Sequence, residues 1–286
     1  MESKVLVTGS SGFTGKILIR ILKKKKFKVI TLDCDITKKN ELENFFRNID
    51  FDFVIHLAAI SNVAFPDPNK INHVNVKGTK NLLSMLNDKD KPPKLVIVPS
   101  SAYVYGVTDN YILNENSKID PSNIYGQSKL EVEKLCKIYK NFPILISRPF
   151  NYTGVGQSET FLIPKIVNHF KLRKKEIELG NTEIIREFND VRDVCEIYVK
   201  LIKNIRFSDT INICSNRGYS IKEIIQICKK LTGHEIDIKV NDNLKRKNDI
   251  PVIIGDTTKM LSLISKHKFR NFENTLKWML LEDKNF

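Results

Sequence analysis

Short apolar, β-branched runs alternate along the first half of the chain with longer stretches that have helical periodicity. The runs predict strands at residues 5–7, 29–32, 53–57, 95–98 and 144–146. The stretches between them predict helices at residues 14–26, 40–48, 70–88 and 123–140. Strands that are apolar throughout are typical of a sheet buried on both faces, so the alternation predicts a doubly wound parallel sheet with right-handed crossovers.

The pattern changes after residue 150. The sequence there predicts helices at residues 161–173, 191–204 and 221–231, strands at 176–179 and 210–213, and a short helical segment at 275–282. No linker rich in glycine and serine separates the two parts. We therefore expect an α/β protein with a Rossmann-type dinucleotide-binding domain at residues 1–150, to which parts of 180–215 return, and a smaller α/β lobe, mainly 151–286, that binds substrate.

The composition fits a globular protein with a basic surface. Of the 286 residues, 41% are hydrophobic, which is enough for a sizeable core and excludes a disordered chain. The net charge of +14 comes from lysines spread along the whole chain, and the run at residues 23–26 ends the first predicted helix, where cations suit the helix dipole. We therefore expect no nucleic-acid partner, while an anionic small molecule would suit this surface.

The cysteines are odd in number and form neither a CxxC pair nor a metal-type spacing: Cys34, Cys136, Cys195, Cys214 and Cys228. Such cysteines are typical of reduced thiols, so we expect no metal site and a cytoplasmic location. The N-terminal residues lack the pattern of a signal peptide. No apolar run approaches the roughly 20 residues of a membrane span, so no membrane association is expected.

A glycine-rich segment, GSSGFTG at residues 9–15, follows the first predicted strand and opens the first predicted helix. In this context Gly9 would allow a tight turn, Gly12 would let a pyrophosphate approach the backbone, and Gly15 would let the helix pack closely on the strand. The N–H groups at the start of the helix would then bind phosphate. The segment predicts a dinucleotide site that comprises Gly9, Ser11, Gly12, Phe13, Thr14 and Gly15.

An acidic residue, Asp33, stands at the end of the second predicted strand. A carboxylate in this position accepts hydrogen bonds from a free ribose 2′-OH and repels a 2′-phosphate. Asp33 therefore favours NAD(H) as the cofactor and leaves NADP(H) possible. Asp35 and Ile36 follow closely and are expected to flank the adenine.

Tyr125 and Lys129 are four residues apart and so lie on one face of the helix predicted at 123–140. A lysine ammonium beside a phenol stabilises the phenolate, which lowers the tyrosine pKa and allows proton exchange near neutral pH. Ser101 ends the fourth predicted strand, where its hydroxyl would face the ligand crevice and could hydrogen-bond a substrate carbonyl. Together with the glycine segment, these residues predict a redox site.

These residues and further motifs resemble the extended short-chain dehydrogenases/reductases of the nucleotide-sugar epimerase/dehydratase family. The further motifs are HLAA at residues 56–59, NVKGT at 75–79, SSAYVYG at 100–106, RPFN at 148–151 and REFNDV at 186–191. The resemblance implies that Ser101, Tyr125 and Lys129 are catalytic, and that Tyr125 and Lys129 also contact the cofactor. It further implies a cofactor-lining segment formed by Leu57, Ala58 and Ala59.

The resemblance extends to quaternary structure and to two polar residues. It implies a homodimer formed through a four-helix bundle that includes the Tyr-Lys helix, although the apolar residues of this helix could equally be core: Leu130, Val132, Leu135 and Ile138. Asn75 aligns with the family's helix asparagine, and a purely structural role for it stays open. His56 is expected to be structural, and the other histidines are expected on the surface: His73, His169, His234 and His267.

The residues after Ser101 bear on the reaction. Dehydratases of this family have acidic residues there, whereas this chain has Ala102 and Tyr103, so dehydration is disfavoured. The segment RPFNYTGVGQ at 148–157 is similar to that of GDP-4-keto-6-deoxy-D-mannose reductases, which usually have His where Tyr152 stands. The resemblance thus implies an NAD(P)H-dependent 4-ketoreductase of a nucleotide-linked 4-keto-6-deoxy sugar, with Tyr125 as the proton donor.

The same resemblance implies a set of substrate-binding residues: Ser101, Ala102, Tyr103, Asn151, Arg186 and Arg246. Arg186 and Arg246 are candidates for the substrate pyrophosphate because a guanidinium fork binds phosphate through two hydrogen bonds. A nucleotide-sugar epimerase that keeps its NAD bound is an alternative. A third hypothesis is a non-catalytic nucleotide- or RNA-binding relative, which the retention of Tyr125 and Lys129 disfavours.

Overall fold

The computed structural model describes residues 2–47, 49–108, 111–244 and 251–282. Within these ranges the strands β1 to β14 are Lys4–Thr8, Lys28–Thr31, Phe53–His56, Leu95–Pro99, Ile112–Leu113, Ile144–Pro149, Tyr152–Thr153, Glu176–Leu179, Ile185–Glu187, Asn189–Asp190, Asp209–Ile213, Gly218–Ser220, Asp237–Val240 and Val252–Gly255. The helices α1 to α10 are Phe13–Lys24, Lys39–Phe46, Pro68–Asn72, Thr79–Asn87, Ile124–Cys136, Leu162–Lys171, Val191–Asn204, Ile221–Thr232, Thr258–Ile264 and Phe272–Leu281.

The central element is a parallel sheet of six strands in the order β11-β6-β4-β3-β1-β2. From β1 the chain crosses to β2 on one side and then returns to β3 on the other, so the order reverses between β1 and β3. The loops that follow β1 and β3 therefore diverge and leave a crevice at the carboxyl ends of the strands, where doubly wound sheets bind their ligands. The predicted α/β fold with a Rossmann-type doubly wound parallel sheet is confirmed.

Helices cover both faces of this sheet. Val5 and Val7 enter the core on the face where α1 and α7 pack together, and Leu6 and Val54 enter the core on the opposite face with side chains of α2, α4 and α5. All four side chains are fully buried. Burial on both faces explains why β1 and β3 are apolar at successive positions rather than at alternate ones.

Apart from β11, the strands beyond β6 form smaller sheets beside the main one, and β5 joins one of them. Strands β12, β9, β14 and β5 form a four-stranded sheet in that order, in which β9 is antiparallel to β12 and parallel to β14. Helices α6, α8 and α10 pack around a separate core that includes Ile166, Ile224 and Leu276. Since β5 lies between Ser101 and α5 in the chain, this sheet joins the segment after Ser101 to the C-terminal part of the protein.

Two local features differ from the sequence-based expectations. The helix predicted at 70–88 is α3, a π-helical turn at His73–Gly78 and α4. A π-helical turn inserts a residue that a search for a period of 3.6 does not detect. The short strands β5, β7, β9, β10, β12, β13 and β14 were not predicted, because most of them contain polar residues and lack the continuous apolar run that marks the strands of the main sheet.

The cysteines are free thiols, of which all but Cys34 are buried. Burial raises the pKa of the Cys195 and Cys214 thiols, so these side chains act as small hydrophobic groups rather than nucleophiles. In the part of the chain that the structure describes, no helix is both long and apolar enough to cross a membrane.

Candidate functional site

The glycine segment turns tightly after β1, and its shape depends on the absence of side chains. Gly9 has a φ of +65°, and a Cβ there would lie 2.7 Å from the backbone nitrogen of Ala58. A Cβ on Gly15 would overlap the carbonyl oxygen of Gly9. Gly9 therefore lets the loop after β1 contact the loop after β3, and Gly15 lets the start of α1 contact the turn.

The open side of this turn fits a dinucleotide phosphate. A Cβ on Gly12 would have only the carbonyl oxygen of Gly9 within 4 Å, at 3.2 Å, so the space above Gly12 is free for a ligand. Gly12 is the N-cap of α1, whose first turn contains no acidic residue. The first N–H groups of α1, at Phe13 and Thr14, follow directly and can bind an anion, while Ser11 is exposed beside them.

The acidic residues after β2 have different roles. The carboxylate of Asp33 is exposed and accepts a hydrogen bond from Thr31 Oγ1 at 3.3 Å. Asp35 Oδ1 accepts hydrogen bonds from the N–H and hydroxyl of Thr37, at 2.9 and 2.8 Å, and these bonds lower the pKa of Asp35. Ile36 is buried against Gly78. Asp33 is thus accessible to a ligand hydroxyl, whereas Asp35 holds its own turn.

His56, at the end of β3, is a structural residue. Thr79 Oγ1 donates to the carbonyl oxygen of Asn75 at 2.5 Å, so at 2.9 Å it must accept from His56 Nε2. His56 Nδ1 then accepts from Thr8 Oγ1 at 2.7 Å, and Thr8 Oγ1 in turn accepts from the N–H of Ala58 at 3.1 Å. These bonds fix a neutral imidazole, and burial lowers the His56 pKa to about 3. The Leu57-Ala58-Ala59 segment is held in place by this network.

The three predicted catalytic residues lie together at the carboxyl edge of the sheet. Ser101 follows β4 and accepts a hydrogen bond from the N–H of Tyr103 at 3.2 Å, which caps the 3₁₀ turn Ala102–Val104. Tyr125 lies in the first turn of α5, and the Ser101 hydroxyl is near enough to influence its phenol. Both side chains are buried, Ser101 with 5% and Tyr125 with 7% of its surface exposed.

The pKa of Tyr125 differs from the expectation drawn from the sequence. Burial raises the Tyr125 pKa above the usual phenol value, the nearby Tyr152 raises it further, and the nearby Ser101 hydroxyl offsets only part of this. The expected lowering by Lys129 was wrong for this state, because Lys129 Nζ lies 5.9 Å from the centroid of the Tyr125 ring and donates instead to the carbonyl oxygen of Pro99 at 2.9 Å. Tyr125 is therefore protonated at neutral pH.

Lys129 is the buried cation of the site. Burial lowers its pKa to about 8, while Cys136 and Glu133 act in the opposite direction. An ammonium group has three donors, so the bond to Pro99 leaves capacity for a ligand hydroxyl. Lys129 can therefore hold a ribose and stabilise a phenolate at Tyr125 when one forms.

Asn75, in the π-helical turn, connects the loop after β3 to the catalytic helix. Its Oδ1 accepts from the N–H of Ile60 at 2.8 Å, and its Nδ2 donates to the carbonyl oxygen of Ile60 at 3.1 Å. Nδ2 also lies 3.2 Å from Ser128 Oγ, which donates to the carbonyl oxygen of Tyr125 at 2.8 Å. These contacts use both ends of the Asn75 amide and favour a structural role.

Tyr152 is a residue that sequence reasoning did not assign to the site. Its hydroxyl lies 3.0 Å from Thr14 Oγ1, its ring stacks on Phe13 at a centroid distance of 6.3 Å, and its phenol influences Tyr125. Tyr152 therefore lies between the glycine segment and the catalytic tyrosine. The difference from the histidine usual in the similar reductases was the available signal, but nothing in the local sequence showed the contact to α1.

The predicted substrate residues are placed as follows. Arg186 on β9 is buried, and its Nη1 donates to the carbonyl oxygens of Ile185 at 2.9 Å and Pro251 at 3.2 Å. Asn151 lies between β6 and β7, and its carbonyl oxygen accepts from the N–H of Asn189 at 2.8 Å. Arg246 lies outside the described residues.

Ala102 and Tyr103, the two residues after Ser101, have different surroundings. Ala102 belongs to a buried core cluster, so its methyl group supports the turn instead of lining a pocket. Tyr103 is half-buried, with its ring edge-on to that of Tyr125 at a centroid distance of 6.2 Å. Of these two predicted substrate residues, Tyr103 is therefore the one beside the catalytic phenol.

A cluster of metal-ligand type side chains lies along α7. Ligand atoms of Asp193, Glu196 and His267 come within 4.8 Å of one another. Arg270 already pairs with both carboxylates, and His267 pairs with Asp193 at 3.3 Å. The side chain of His267 is 3% exposed, so the expectation of a surface histidine was wrong. The cluster forms an ion-pair network that ties the segment before α10 to α7.

The parallel sheet, the glycine turn at the β1/β3 crevice and the buried serine, tyrosine and lysine define a dinucleotide-dependent oxidoreductase. The chain belongs to the NAD dependent epimerase/dehydratase family, whose profile matches residues 5–214. The predicted resemblance is confirmed, and the protein is an NAD(P)-dependent enzyme of the extended short-chain dehydrogenase/reductase group.

Individual relatives within this family are similar over most of their length. The chain is 38% identical over 267 residues, 91% of both chains, to GDP-6-deoxy-D-talose 4-dehydrogenase of Aggregatibacter actinomycetemcomitans. It is 30% identical over 254 residues, 83% of both chains, to GDP-6-deoxy-D-mannose reductase of Pseudomonas aeruginosa. The structure of RMD from Pseudomonas aeruginosa complexed with NADPH matches with a TM-score of 0.88 and 27% identity, covering 98% of this chain and 97% of that one.

Proposed function

We propose that the protein is a nicotinamide-dependent 4-ketoreductase of GDP-4-keto-6-deoxy-D-mannose and forms GDP-6-deoxy-D-talose. The observation that carries the proposal is that Ser101, Tyr125 and Lys129 are buried together at the carboxyl edge of the sheet, with the Ser101 hydroxyl close enough to the Tyr125 phenol to affect its pKa. A serine and a protonated phenol can both donate to one carbonyl oxygen, which is what reduction of a ketone needs.

The chain's residues are given these roles. The bound dinucleotide supplies the hydride. Tyr125, kept protonated by burial, donates its proton to the alkoxide oxygen as the ketone is reduced. Ser101 donates a hydrogen bond to the keto oxygen and stabilises the developing charge. Lys129 holds the ribose and stabilises the phenolate left on Tyr125.

The names of the two relatives support the same 4-keto sugar as the substrate. GDP-6-deoxy-D-talose and GDP-6-deoxy-D-mannose differ only in configuration at C4, so oxidation of either alcohol at C4 gives the same ketone. Reduction on one face or the other then decides the product. We propose the talo product because identity to the talose 4-dehydrogenase is 38%, against 30% to the mannose reductase.

The remaining assignments belong to the same proposal. Asp33 favours NADH, although the Pseudomonas RMD structure holds NADPH. Arg186 and Arg246 are proposed to bind the pyrophosphate, with Asn151 and Tyr103 nearer the sugar.

A cytoplasmic homodimer also remains a proposal. Leu130 and Leu135 on α5 pack on core clusters and Val132 is buried, while Ile138 is 71% exposed. An interface through α5 would therefore use isolated apolar residues, such as Ile124 on the helix and Ile138 just after it, and polar residues rather than an extended apolar stripe.

The test is a turnover panel. GDP-, dTDP-, UDP- and CDP-linked 4-keto-6-deoxy sugars are each incubated with the protein and NADH or NADPH, cofactor oxidation is followed by absorbance, and the C4 configuration of the product is read by NMR. We expect oxidation of NADH with the GDP sugar and a talo product. A manno product would reverse the stereochemical part of the proposal, and the absence of cofactor oxidation with every keto sugar would refute the ketoreductase.

If the protein is instead an epimerase, cofactor retention and cofactor consumption will both differ from those of a reductase. An epimerase would retain stoichiometric NAD through gel filtration and would interconvert C4 epimers of a saturated nucleotide sugar without net cofactor consumption. The family's description includes epimerases, so this assay is run on each matched alcohol sugar alongside the panel.

A further inference from the structure

A buried ion pair connects the catalytic helix to the central sheet. Arg148 on β6 donates from Nε to Glu133 Oε1 at 2.8 Å and from Nη2 to Glu133 Oε2 at 2.7 Å. The two side chains are 4% and 2% exposed. Glu133 lies four residues after Lys129 and eight after Tyr125, so the three residues share one face of α5. The pair therefore holds the helix on the face that carries the chemistry.

The same guanidinium also holds the turn that carries Ser101. Arg148 Nη1 donates to the Tyr105 hydroxyl at 3.1 Å, and the guanidinium carbon lies 4.9 Å from the centroid of the Tyr105 ring. Tyr105 follows the turn Ala102–Val104 and is fully buried. Its single proton goes to Asn212 Oδ1 at 2.6 Å, so its oxygen is the acceptor for Arg148.

A third contact extends the network to the next strand of the sheet. Arg148 Nη1 lies 3.4 Å from the carbonyl oxygen of Glu115, and Glu115 Oε1 accepts from the N–H of Asn212 on β11 at 2.7 Å. Each nitrogen of the guanidinium therefore has a partner, and a planar fork with these partners cannot rotate freely. A lysine in its place would supply a single ammonium and could not contact helix, turn and loop in this geometry.

We propose that Arg148 is a positioning residue that sets the distance between Ser101 and Tyr125 by binding the catalytic helix and the serine turn at once. The inference rests on the proposed ketoreductase function. Reacting groups displaced by about 1 Å can lose roughly 100-fold in rate, so a shift of α5 against the turn would lower turnover without removing any group that touches the substrate.

The experiment compares removal of Arg148 alone with removal of the whole ion pair, and kcat is measured across pH because Glu133 also raises the pKa of Lys129. Arg148→Met alone leaves the Glu133 carboxylate buried without its two guanidinium hydrogen bonds and is expected to destabilise the protein. Glu133→Met/Arg148→Met replaces the pair by apolar side chains, which proteins often accept with little loss of stability. We expect this double variant to unfold close to the wild-type temperature, to bind NADH within about threefold of wild type and to lose about 100-fold in kcat.

Two further variants serve as an intermediate case and a control for the double variant. Tyr105→Phe keeps the ion pair and removes the hydroxyl between Arg148 and Asn212, so a smaller loss of kcat is expected. Arg206→Met removes a guanidinium that lies 4.9 Å from the ring of Phe53 at the start of β3, on the edge of the sheet opposite the site, and should keep wild-type kcat. A folded double variant with wild-type kcat would overturn the proposal, because Arg148 would then serve only to neutralise Glu133.

A second measurement keeps this inference distinct from the proposed function. Hydrogen exchange read by mass spectrometry reports on residues 101–105 and 124–136 without any substrate. We expect both segments to exchange faster in the double variant than in the wild type or Arg206→Met. Unchanged exchange in both segments would overturn the positioning proposal. A wild-type protein that is inactive on every keto sugar would refute the proposed ketoreductase activity. The exchange measurement would still test the role of Arg148 in that case.

Discussion

The glycine segment at residues 9–15 and strand β9, which carries Arg186, are built in different ways. The N–H of Gly12 donates to the carbonyl oxygen of Gly9 at 3.1 Å, so the loop is closed by bonds between near neighbours. Strand β9 is instead held between β12 and β14, and Arg186 is opposite Tyr219 and Ile253. The proposed cofactor side thus depends on a local turn and the proposed substrate side on long-range pairing. We expect changes in substrate choice to leave the cofactor side intact.

The largest expected effect is at Tyr125, where the two regions meet. Tyr125→Phe removes the proposed proton donor and keeps the ring, so kcat should fall by roughly 100-fold to 10,000-fold. NADH affinity should change little, because the glycine segment is untouched. Steady-state turnover and NADH fluorescence titration measure the two quantities, with Tyr139→Phe near the end of α5 as the control. Near-normal kcat in Tyr125→Phe would remove Tyr125 from its assigned role.

The glycine turn at residues 9–15 can be perturbed without changing strand β9. Gly9→Ala and Gly233→Ala both place a methyl group on a left-handed residue, with φ of +65° and +62°, at a cost of about 1–2 kcal/mol each. The Gly9 methyl would also overlap the backbone of Ala58, whereas Gly233 has no neighbour within 4 Å. We expect Gly9→Ala to lower the unfolding temperature further and to weaken NADH binding. Equal losses in thermal melts would show that the loop contact is unimportant.

On the substrate side, Arg186→Lys keeps the charge and removes the planar fork. Loss of a hydrogen bond to a charged group costs about 1.5–3 kcal/mol, so KM for the keto sugar should rise by roughly 10-fold to 100-fold. NADH affinity should stay near the wild-type value, because Arg186 donates hydrogen bonds to Ile185 and Pro251, away from the glycine segment, while loss of these buried bonds should lower the unfolding temperature. An unchanged KM would exclude Arg186 from the pyrophosphate site.

The smallest expected effect concerns cofactor choice. Asp33→Asn removes the negative charge that disfavours a 2′-phosphate but retains an oxygen acceptor for a 2′-OH. At this exposed position, the ratio of kcat/KM for NADPH to that for NADH should rise by several-fold, or about 1 kcal/mol. Competition assays with both cofactors measure this ratio. A ratio that does not move would mean that Asp33 does not contact the ribose.

Local chemistry could be read from the sequence. The glycine spacing, Asp33 at a strand end and the four-residue interval from Tyr125 to Lys129 all express geometry within one turn or one helix, and the structure brings Ser101 to Tyr125 as the family resemblance implied. The division of the chain into two lobes near residue 150 stays a prediction. The roles of Asp33, Ser101, Tyr125 and Lys129 in binding and catalysis also stay predictions until the variants are measured.

Long-range pairing could not be read in the same way. Strand β14 pairs with β5 through only two residues of each, Ile254 with Ile112 and Gly255 with Leu113, and no local pattern connects such distant segments. The contact of Tyr152 with Thr14 and the environment of Arg148 depend on the same long-range folding. The raised pKa of Tyr125 was missed for a related reason, because burial is a property of the assembled fold.

The closed turn at Gly9 also bears on how quickly and how tightly the cofactor binds. A loop that is flexible before binding loses conformational entropy when a ligand orders it, and this loss weakens affinity. Here the N–H of Gly12 is already bonded to Gly9, and the N–H of Lys16 donates to the carbonyl oxygen of Gly12 at 3.0 Å. The proposed phosphate-binding surface is therefore preorganised, so association should need little loop reordering and its rate should be governed mainly by diffusion and charge.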